Sequence, residues 1–213
     1  MTEHNSLSAI GMAIAELDES GVETLVRKEL ENGTAPEQII SELSDGIEEV
    51  GERYRREEYF LTELIYSSEM FKNAMTVLKP LCKRTADEKL SGVVVMGTVK
   101  GDIHDLGKNI VTNLLECAGF SVVDLGVDVP LERFVQAVVS SNAALVGMSM
   151  LLTTAFEAAK ETIAAIERAN LRGRVKIMLG GSVTSENVRR DMGADFWGRD
   201  ATSAVDIARE VCR

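Results

Sequence analysis

Residues 92–115 read GVVVMGTVKGDIHDLGKNIVTNLL, an apolar run followed by a polar loop and an amphipathic segment. The run over 92–97 is rich in valine, which is typical of a buried β-strand. In the last part, the apolar residues Leu106, Ile110 and Leu114 recur with helical spacing. The order strand, loop, helix predicts the first unit of a parallel α/β sheet.

The same alternation continues to the end of the chain. It predicts an α/β domain of flavodoxin or Rossmann-like type, a doubly wound sheet of five parallel strands with right-handed crossovers. The predicted strands cover 92–97, 121–125, 144–149, 175–179 and 195–197. The predicted helices cover 106–118, 130–141, 154–169, 184–192 and 201–212.

The first part of the chain is predicted to be all-α. Four amphipathic segments joined by short loops indicate a four-helix bundle. The polar stretch over 83–89 is interpreted as a linker, so the predicted domains are a helical cap over 1–88 and the sheet domain over 89–213.

Two capping boxes are predicted to open helices of the bundle. Ser20 is followed three residues later by Glu23, which would begin the second helix. Thr34 and Glu37 have the same spacing, with Pro36 in the first turn of the third helix.

The loop after the first strand is the main candidate for a ligand site. Ligands of open α/β sheets bind at the carboxyl ends of the strands, where His104 is expected to lie. Asp102 is close enough to accept a hydrogen bond from one ring nitrogen, which would fix the tautomer of His104 and leave the other nitrogen for ligation. A solvated surface histidine is the alternative interpretation of this motif.

Two further strand ends carry a polar residue or a pair of glycines. Ser149 ends the third predicted strand, and Gly180 and Gly181 follow the fourth. The glycine pair would let the backbone approach a ligand without side chains in the way. Alternatively, it forms a tight turn between strand and helix.

Three motifs in this order carry a resemblance to a known family, and they are Asp102-x-His104-x-x-Gly107, Ser149-x-Leu151 and Gly180-Gly181. They resemble the motifs of cobalamin-binding domains, and residues 99–109 are similar to the methyltransferase branch of those domains. Residues 51–64 resemble the helical cap that precedes this domain in methionine synthase and in small corrinoid proteins. The chain is therefore identified as similar to the stand-alone corrinoid methyl-carrier proteins.

The resemblance implies a cofactor and a set of roles for the loop. Cobalamin would bind base-off, with the Nε2 atom of His104 as the lower axial ligand to cobalt. Asp102 would bond the other ring nitrogen and Ser149 would bond Asp102, so that a proton can reach His104 when it leaves the metal.

The resemblance also implies which residues contact the corrinoid. The nucleotide tail would pass along a channel lined by Ser149, Leu151, Thr153, Gly180 and Gly181. The expected cofactor-binding residues are Gly101, Asp102, Ile103, His104, Asp105, Leu106, Gly107, Ser149, Leu151, Thr153, Gly180, Gly181, Ser182, Tyr54 and Leu61.

Two positions of the cap are expected to face the methyl group. Tyr54 and Leu61 match an aromatic residue and a leucine of the family, although Tyr54 replaces the usual Phe and Thr62 stands where a Pro often follows. Both could instead be ordinary core residues of the bundle. Trp197 could border the nucleotide base or simply pack on the sheet edge.

The function implied is that of a non-catalytic carrier in one-carbon metabolism. Its partners would be a substrate-specific corrinoid methyltransferase, a second methyltransferase that uses tetrahydrofolate or coenzyme M, and a reductive activase. The alternatives are a cobalamin-dependent sensor or regulator, the cobalamin subunit of a mutase, and a flavodoxin-like module without a cofactor.

Composition restricts the class of partner and the compartment. The net charge of −11 argues against nucleic acid, because phosphate binding needs a basic surface. No secretory signal or membrane-spanning run is recognised, and the three cysteines are far apart, which favours a cytoplasmic protein.

Overall fold

The computed structural model describes residues 7–82 and 92–212, which form two compact units. One unit precedes the gap and the other follows it. The predicted domain boundary, between residues 88 and 89, lies outside the described residues.

The first unit contains the four expected helices. They are α1 (Ala9–Ala15), α2 (Glu19–Glu31), α3 (Pro36–Arg55) and α4 (Leu61–Leu78), followed by a 3-10 turn over Lys79–Leu81. Each helix buries one apolar face, as its periodicity predicts. The largest fully buried side chains are those of Ile10, Ile14, Ile39, Ile40, Leu43, Met70 and Leu78.

The helix starts differ from the predicted capping boxes. Asp18 caps α2 by accepting from the backbone N–H of Gly21 at 2.9 Å, and Ser20 lies inside the helix with its hydroxyl donating to Asp18. The predicted box at Ser20 is therefore wrong, because a carboxylate two residues earlier takes its place. Thr34 does not cap α3 either, since its hydroxyl donates to Glu29 at 2.8 Å.

The second unit is the expected parallel sheet with helices. Its strands are β1 (Val93–Thr98), β2 (Ser121–Asp124), β3 (Leu145–Ser149), β4 (Lys176–Gly180) and β5 (Phe196–Gly198). Its helices are α5 (Leu106–Cys117), α6 (Leu131–Ser141), α7 (Phe156–Arg168), α8 (Glu186–Met192) and α9 (Ala201–Val211). The core between the layers includes Phe134, Val146, Met148, Ile163 and Ile177.

The strand order places the three motifs side by side. The order is β2-β1-β3-β4-β5, and all pairs are parallel. The chain winds away from β1 in both directions, so the switch point between β1 and β3 opens a crevice at the carboxyl ends of the strands. At that edge Thr98 pairs with Ser149, and Ser149 pairs with Gly180.

None of the helices in the described ranges is both long and apolar enough to cross a membrane.

Candidate functional site

The His104 loop connects β1 to α5 at this edge of the sheet. The backbone N–H of Val99 donates to the carbonyl of Ser149 at 3.2 Å, which continues the pairing of β1 with β3 by one residue. The buried hydroxyl of Thr98 donates to the carbonyl of His104 at 2.9 Å. The start of the loop is thus fixed to β3 and its end to β1.

Asp102 orients His104 as the sequence predicts. The Nδ1 atom of His104 lies 2.6 Å from the Oδ1 atom of Asp102, and the same oxygen accepts from the backbone N–H of His104 at 3.0 Å. The Asp102 side chain is fully buried, whereas that of His104 is 49% exposed. Nε2 has no hydrogen-bond partner among the residues that the structure describes, so it is available to a ligand.

The second oxygen of Asp102 is held by backbone groups. Oδ2 accepts from the N–H groups of Leu151 at 2.6 Å and Leu152 at 3.1 Å. Burial raises the pKa of Asp102, but the N–H donors of His104, Leu151 and Leu152 and the His104 ring outweigh it, so the net pKa lies below its ordinary value. Because Asp102 remains a carboxylate, we assign the proton of the neutral imidazole to Nδ1.

The expected bond between Ser149 and Asp102 is not formed. Within the described part of the chain, the Ser149 hydroxyl makes no hydrogen bond to Asp102, whose Oδ2 atom already accepts two backbone N–H groups. Ser149 contributes its carbonyl to Val99 instead. The sequence could not reveal Leu151 and Leu152 as donors, because a backbone N–H is common to all residues except proline.

Gly181 is explained by the fold itself. Its φ is +113°, and a Cβ atom there would overlap the carbonyl oxygen of Met150. A Cβ at Gly180 would meet the Gly198 carbonyl oxygen at an ordinary 3.6 Å. The tight-turn interpretation therefore accounts for Gly181, whereas Gly180 is not sterically required.

An exposed apolar rim accompanies the imidazole. Ile103 is 73% exposed, and Leu151 and Leu152, which bind Asp102 through their backbones, are each 39% exposed. Gly101 and Gly107 have open space where a Cβ would stand. The remaining expected site residues of this unit lie at the surface or half-buried, and they are Asp105, Leu106, Ser149, Thr153, Gly180, Gly181 and Ser182.

Tyr54 and Leu61 lie on the surface of the helical unit. Tyr54 is 44% exposed and Leu61 is 61% exposed, which excludes the interpretation of both as bundle core. Phe60 and Ile65 are exposed nearby in sequence, at 72% and 56%. Sequence reasoning missed these two, although Phe60 directly precedes the start of α4.

Trp197 is fixed within the sheet unit. Its indole N–H donates to the hydroxyl of Thr184 at 3.0 Å, and its ring is half-buried. This hydrogen bond joins β5 to the segment that follows β4. Trp197 therefore has a structural role at the edge of the sheet.

Comparison with known proteins identifies the family. Two family models, each described as a B12 binding domain, match residues 92–206 and residues 7–79. The relatives include a dimethylamine corrinoid protein of Methanosarcina barkeri, 35% identical over 215 residues that cover 99% of each chain.

Solved structures give the same assignment. The monomethylamine corrinoid protein of Methanosarcina barkeri matches with a TM-score of 0.82 and 33% identity over 96% of this chain and 97% of that chain. A chain of the methanol:cobalamin methyltransferase complex from that organism matches with a TM-score of 0.56 and 28% identity, over 99% and 81% of the two chains.

The residues at the sheet edge fit such a cofactor. A metal-containing cofactor brings its own reactive metal, so the protein supplies binding and orientation through a donor atom and an apolar surface. The free Nε2 of His104 is a nitrogen donor of the kind that binds metals, and the exposed side chains of Ile103, Leu151 and Leu152 offer an apolar surface. The chain belongs to the B12-binding corrinoid proteins of methyltransferase systems, and its cofactor is cobalamin.

Proposed function

We propose that this protein carries a methyl group between two methyltransferases. The first would take the methyl group from a growth substrate, and the second would pass it to tetrahydrofolate or coenzyme M. When bound, the corrinoid supplies a cobalt centre that accepts and releases a methyl group. The relatives named for dimethylamine, monomethylamine and methanol support a small methylated substrate for the first partner.

Within this proposal, His104 is the lower axial ligand in a base-off, His-on arrangement. The observation that carries it is the pairing of Nδ1 with the fully buried Asp102 while Nε2 stays free. A carboxylate on the second nitrogen orients a ligating imidazole and raises its basicity. The Asp102 carboxylate is itself held by three backbone N–H groups, so the ring is fixed in advance of binding.

Asp102 also has a role when His104 is released. Solvent, and with it a proton, would reach a freed Nε2 atom because the side chain is half-exposed. Asp102 would remain ionised, since its pKa lies below its ordinary value, and its carboxylate would keep the ring oriented through Nδ1. The proton path does not need the Ser149 hydroxyl, which makes no hydrogen bond to Asp102 in the described structure.

The residues that we assign to the cofactor lie mainly on the sheet unit. The loop residues Gly101, Ile103, Asp105, Leu106 and Gly107 surround His104 in sequence. We assign the nucleotide tail to the side of β3 and β4, along Ser149, Leu151, Thr153, Gly180, Gly181 and Ser182. The support is the register that places Ser149 between Thr98 and Gly180.

We assign a lid function to the helical unit, within the proposed domains 1–88 and 89–213. Tyr54 and Leu61 would contact the upper face of the corrinoid and limit access of water. The support is their exposure, together with a B12-binding family match over residues 7–79. We further propose a reductive activase as a third partner, and the cytoplasm as the compartment.

The axial ligand can be tested by substitution. Three full-length proteins would be incubated with hydroxocobalamin: the parent, His104→Gly and His4→Gly. The absorption spectrum of each would then be recorded. We expect the parent and His4→Gly to give one spectrum and His104→Gly another. Added imidazole should restore the parent spectrum in His104→Gly, because it can occupy the vacated position.

Two outcomes would refute axial ligation. One is a His104→Gly spectrum identical to that of the parent. The other is an equal change in His4→Gly, which would assign the effect to something other than His104. His4 lies outside the described residues, and it is the other of the two histidines in the sequence.

A further inference from the structure

The connection between β2 and α6 runs beside the His104 loop and binds it. The carboxylate Oδ1 of Asp128 accepts from the backbone N–H of Gly101 at 2.7 Å. The backbone N–H of Asp128 donates to the carbonyl of Asp102 at 2.9 Å. A residue distant in sequence thus holds the two peptide groups that flank Gly101 and Asp102, just before Ile103 and His104.

Asp128 is itself fixed by β1. The backbone N–H of Val129 donates to the carbonyl of Thr98 at 3.0 Å, and the N–H of Thr98 donates to the carbonyl of Gly126 at 3.0 Å. An isolated bridge pairs Val99 with Val129. The segment that carries Asp128 therefore extends the sheet beside β1 and provides a firm support.

The backbone of Asp128 adopts a left-handed conformation, with φ of +51°. Such a conformation is unfavourable for a residue other than glycine, although Asp and Asn tolerate it better than most. Its side chain is exposed, so apolar burial does not offset that cost. Strained residues of this kind persist where the surrounding structure requires them, and they cluster at functional sites.

We propose that Asp128 is a positioning residue for His104, and this inference rests on the proposed axial ligation. Gly101 has φ of +85°. Glycine can adopt this conformation but is not restricted to it, so another group has to hold the backbone there. The Asp128 carboxylate supplies the constraint by binding the Gly101 N–H. Asp102 orients the ring relative to the loop, and Asp128 orients the loop relative to the sheet.

Four variants of the full-length chain separate the parts of this role. Asp128→Asn keeps an acceptor oxygen and tolerates the left-handed backbone. Asp128→Gly suits the backbone but removes the acceptor. Asp128→Glu keeps the charge and displaces the oxygen by one methylene, and Glu132→Gln is an exposed control on α6.

The measurements are the dissociation constant for hydroxocobalamin, the absorption spectrum, and amide exchange at Gly101 in the cofactor-free chain. We expect Asp128→Asn and Glu132→Gln to behave as the parent. Asp128→Gly and Asp128→Glu should bind about tenfold more weakly, because the hydrogen bond from the Gly101 N–H is lost. They should also shift the spectrum towards that of His104→Gly and exchange the Gly101 amide faster.

The possible failures are distinguishable. If His104→Gly leaves the parent spectrum unchanged, the proposed ligation fails, and the role of Asp128 fails with it. If His104→Gly changes the spectrum while Asp128→Gly and Asp128→Glu match the parent, only the role of Asp128 fails. If Asp128→Gly does not fold, Asp128→Glu decides alone, and a parent-like result overturns the inference.

Discussion

At the scale of single residues, Asp102 shows how one carboxylate organises a binding loop. Its side chain is fully buried, yet both oxygens are occupied by donors from two segments of the chain. An isolated buried charge is costly, and this one is stabilised because the donors replace the water that it loses. The His104 ring is one of those donors, so folding and ligand orientation depend on the same group.

Replacing Asp102 by Asn should therefore impair both folding and the orientation of His104. An amide has an oxygen on one side only, so its NH2 group would face either the N–H groups of Leu151 and Leu152 or the N–H and Nδ1 of His104. We expect the free energy of unfolding to fall by about 2–3 kcal/mol, together with weaker binding of hydroxocobalamin. Denaturant titration of the cofactor-free chain measures the first effect.

A matched control is Asp105→Asn. The Asp105 carboxylate is exposed and accepts from the Asn109 side chain at 3.1 Å, so its replacement should change stability little. Equal losses in the two variants would contradict a special role for Asp102.

Gly181 is predicted to tolerate no side chain. Gly181→Ala would place a Cβ against the Met150 carbonyl at a positive φ, and neither the backbone nor the carbonyl can move cheaply. We expect a loss of at least about 2 kcal/mol in the free energy of unfolding. Gly173→Ala, at a position with open space and no positive φ, should stay within about 0.5 kcal/mol of the parent.

At the scale of elements, substitutions at the start of α2 show whether Asp18 or Ser20 caps this helix. Asp18→Ala removes the acceptor for the Gly21 N–H and should lower the free energy of unfolding by about 1 kcal/mol. Ser20→Ala, the substitution that the predicted capping box would make costly, should have a much smaller effect. Thermal unfolding of the two variants decides, and the reverse ranking would show that Ser20 is the cap.

Helix α5 is anchored by a buried cation that periodicity did not identify. The Lys108 side chain is 2% exposed, and its ammonium donates to Asp124 at 2.5 Å and to Asn109 at 2.7 Å. Asp124 ends β2, so this ion pair ties the helix that follows the His104 loop to the neighbouring strand. A lysine in the first turn of an amphipathic helix is ordinarily read as a surface residue, and only its neighbours made burial possible.

At the scale of the molecule, the adjacency of strands creates the site. Ser149 and Gly180 are far from His104 in sequence, and they reach the same edge because β3 pairs in register with β1 and β4 pairs in register with β3. The parallel order also brings Leu151 and Leu152 to Asp102. The sequence motifs predicted that these strand ends form a site, whereas the strand order of the sheet determined which atoms are in contact.

The stability of the sheet unit should depend on acid through Asp195. Burial raises the pKa of Asp195. The hydrogen bond from the Ile177 N–H and the charges of Arg172 and Lys176 lower this pKa by more than burial raises it, so the net pKa is below the ordinary value. A lowered pKa stabilises the fold above the unfolded value of about pH 4, and this contribution disappears as the pH falls through the folded value.

Asp195→Asn should accordingly be less stable than the parent at pH 7, by about 1–2 kcal/mol. The difference should shrink as the pH is lowered below about 4. Denaturant unfolding at a series of pH values measures it, and a difference that is constant down to pH 3 would contradict this account.

Sequence alone determined the elements and the chemical type of the site. Apolar runs and period-3.6 patterns located the strands and helices of the sheet unit to within a few residues, because burial leaves a local signal in the order of apolar residues. The Asp102-x-His104 spacing predicted the contact between carboxylate and imidazole for the same reason, since two residues on one loop can reach each other without help from the rest of the fold.

Only the tertiary structure decided the remaining partners of the loop. The donors to the second oxygen of Asp102 are backbone N–H groups of Leu151 and Leu152, and the support of Gly101 is Asp128. The burial of Lys108 was equally hidden. Backbone donors carry no side-chain signal, and burial depends on which elements become neighbours, so long-range packing had to be known before these contacts could be named.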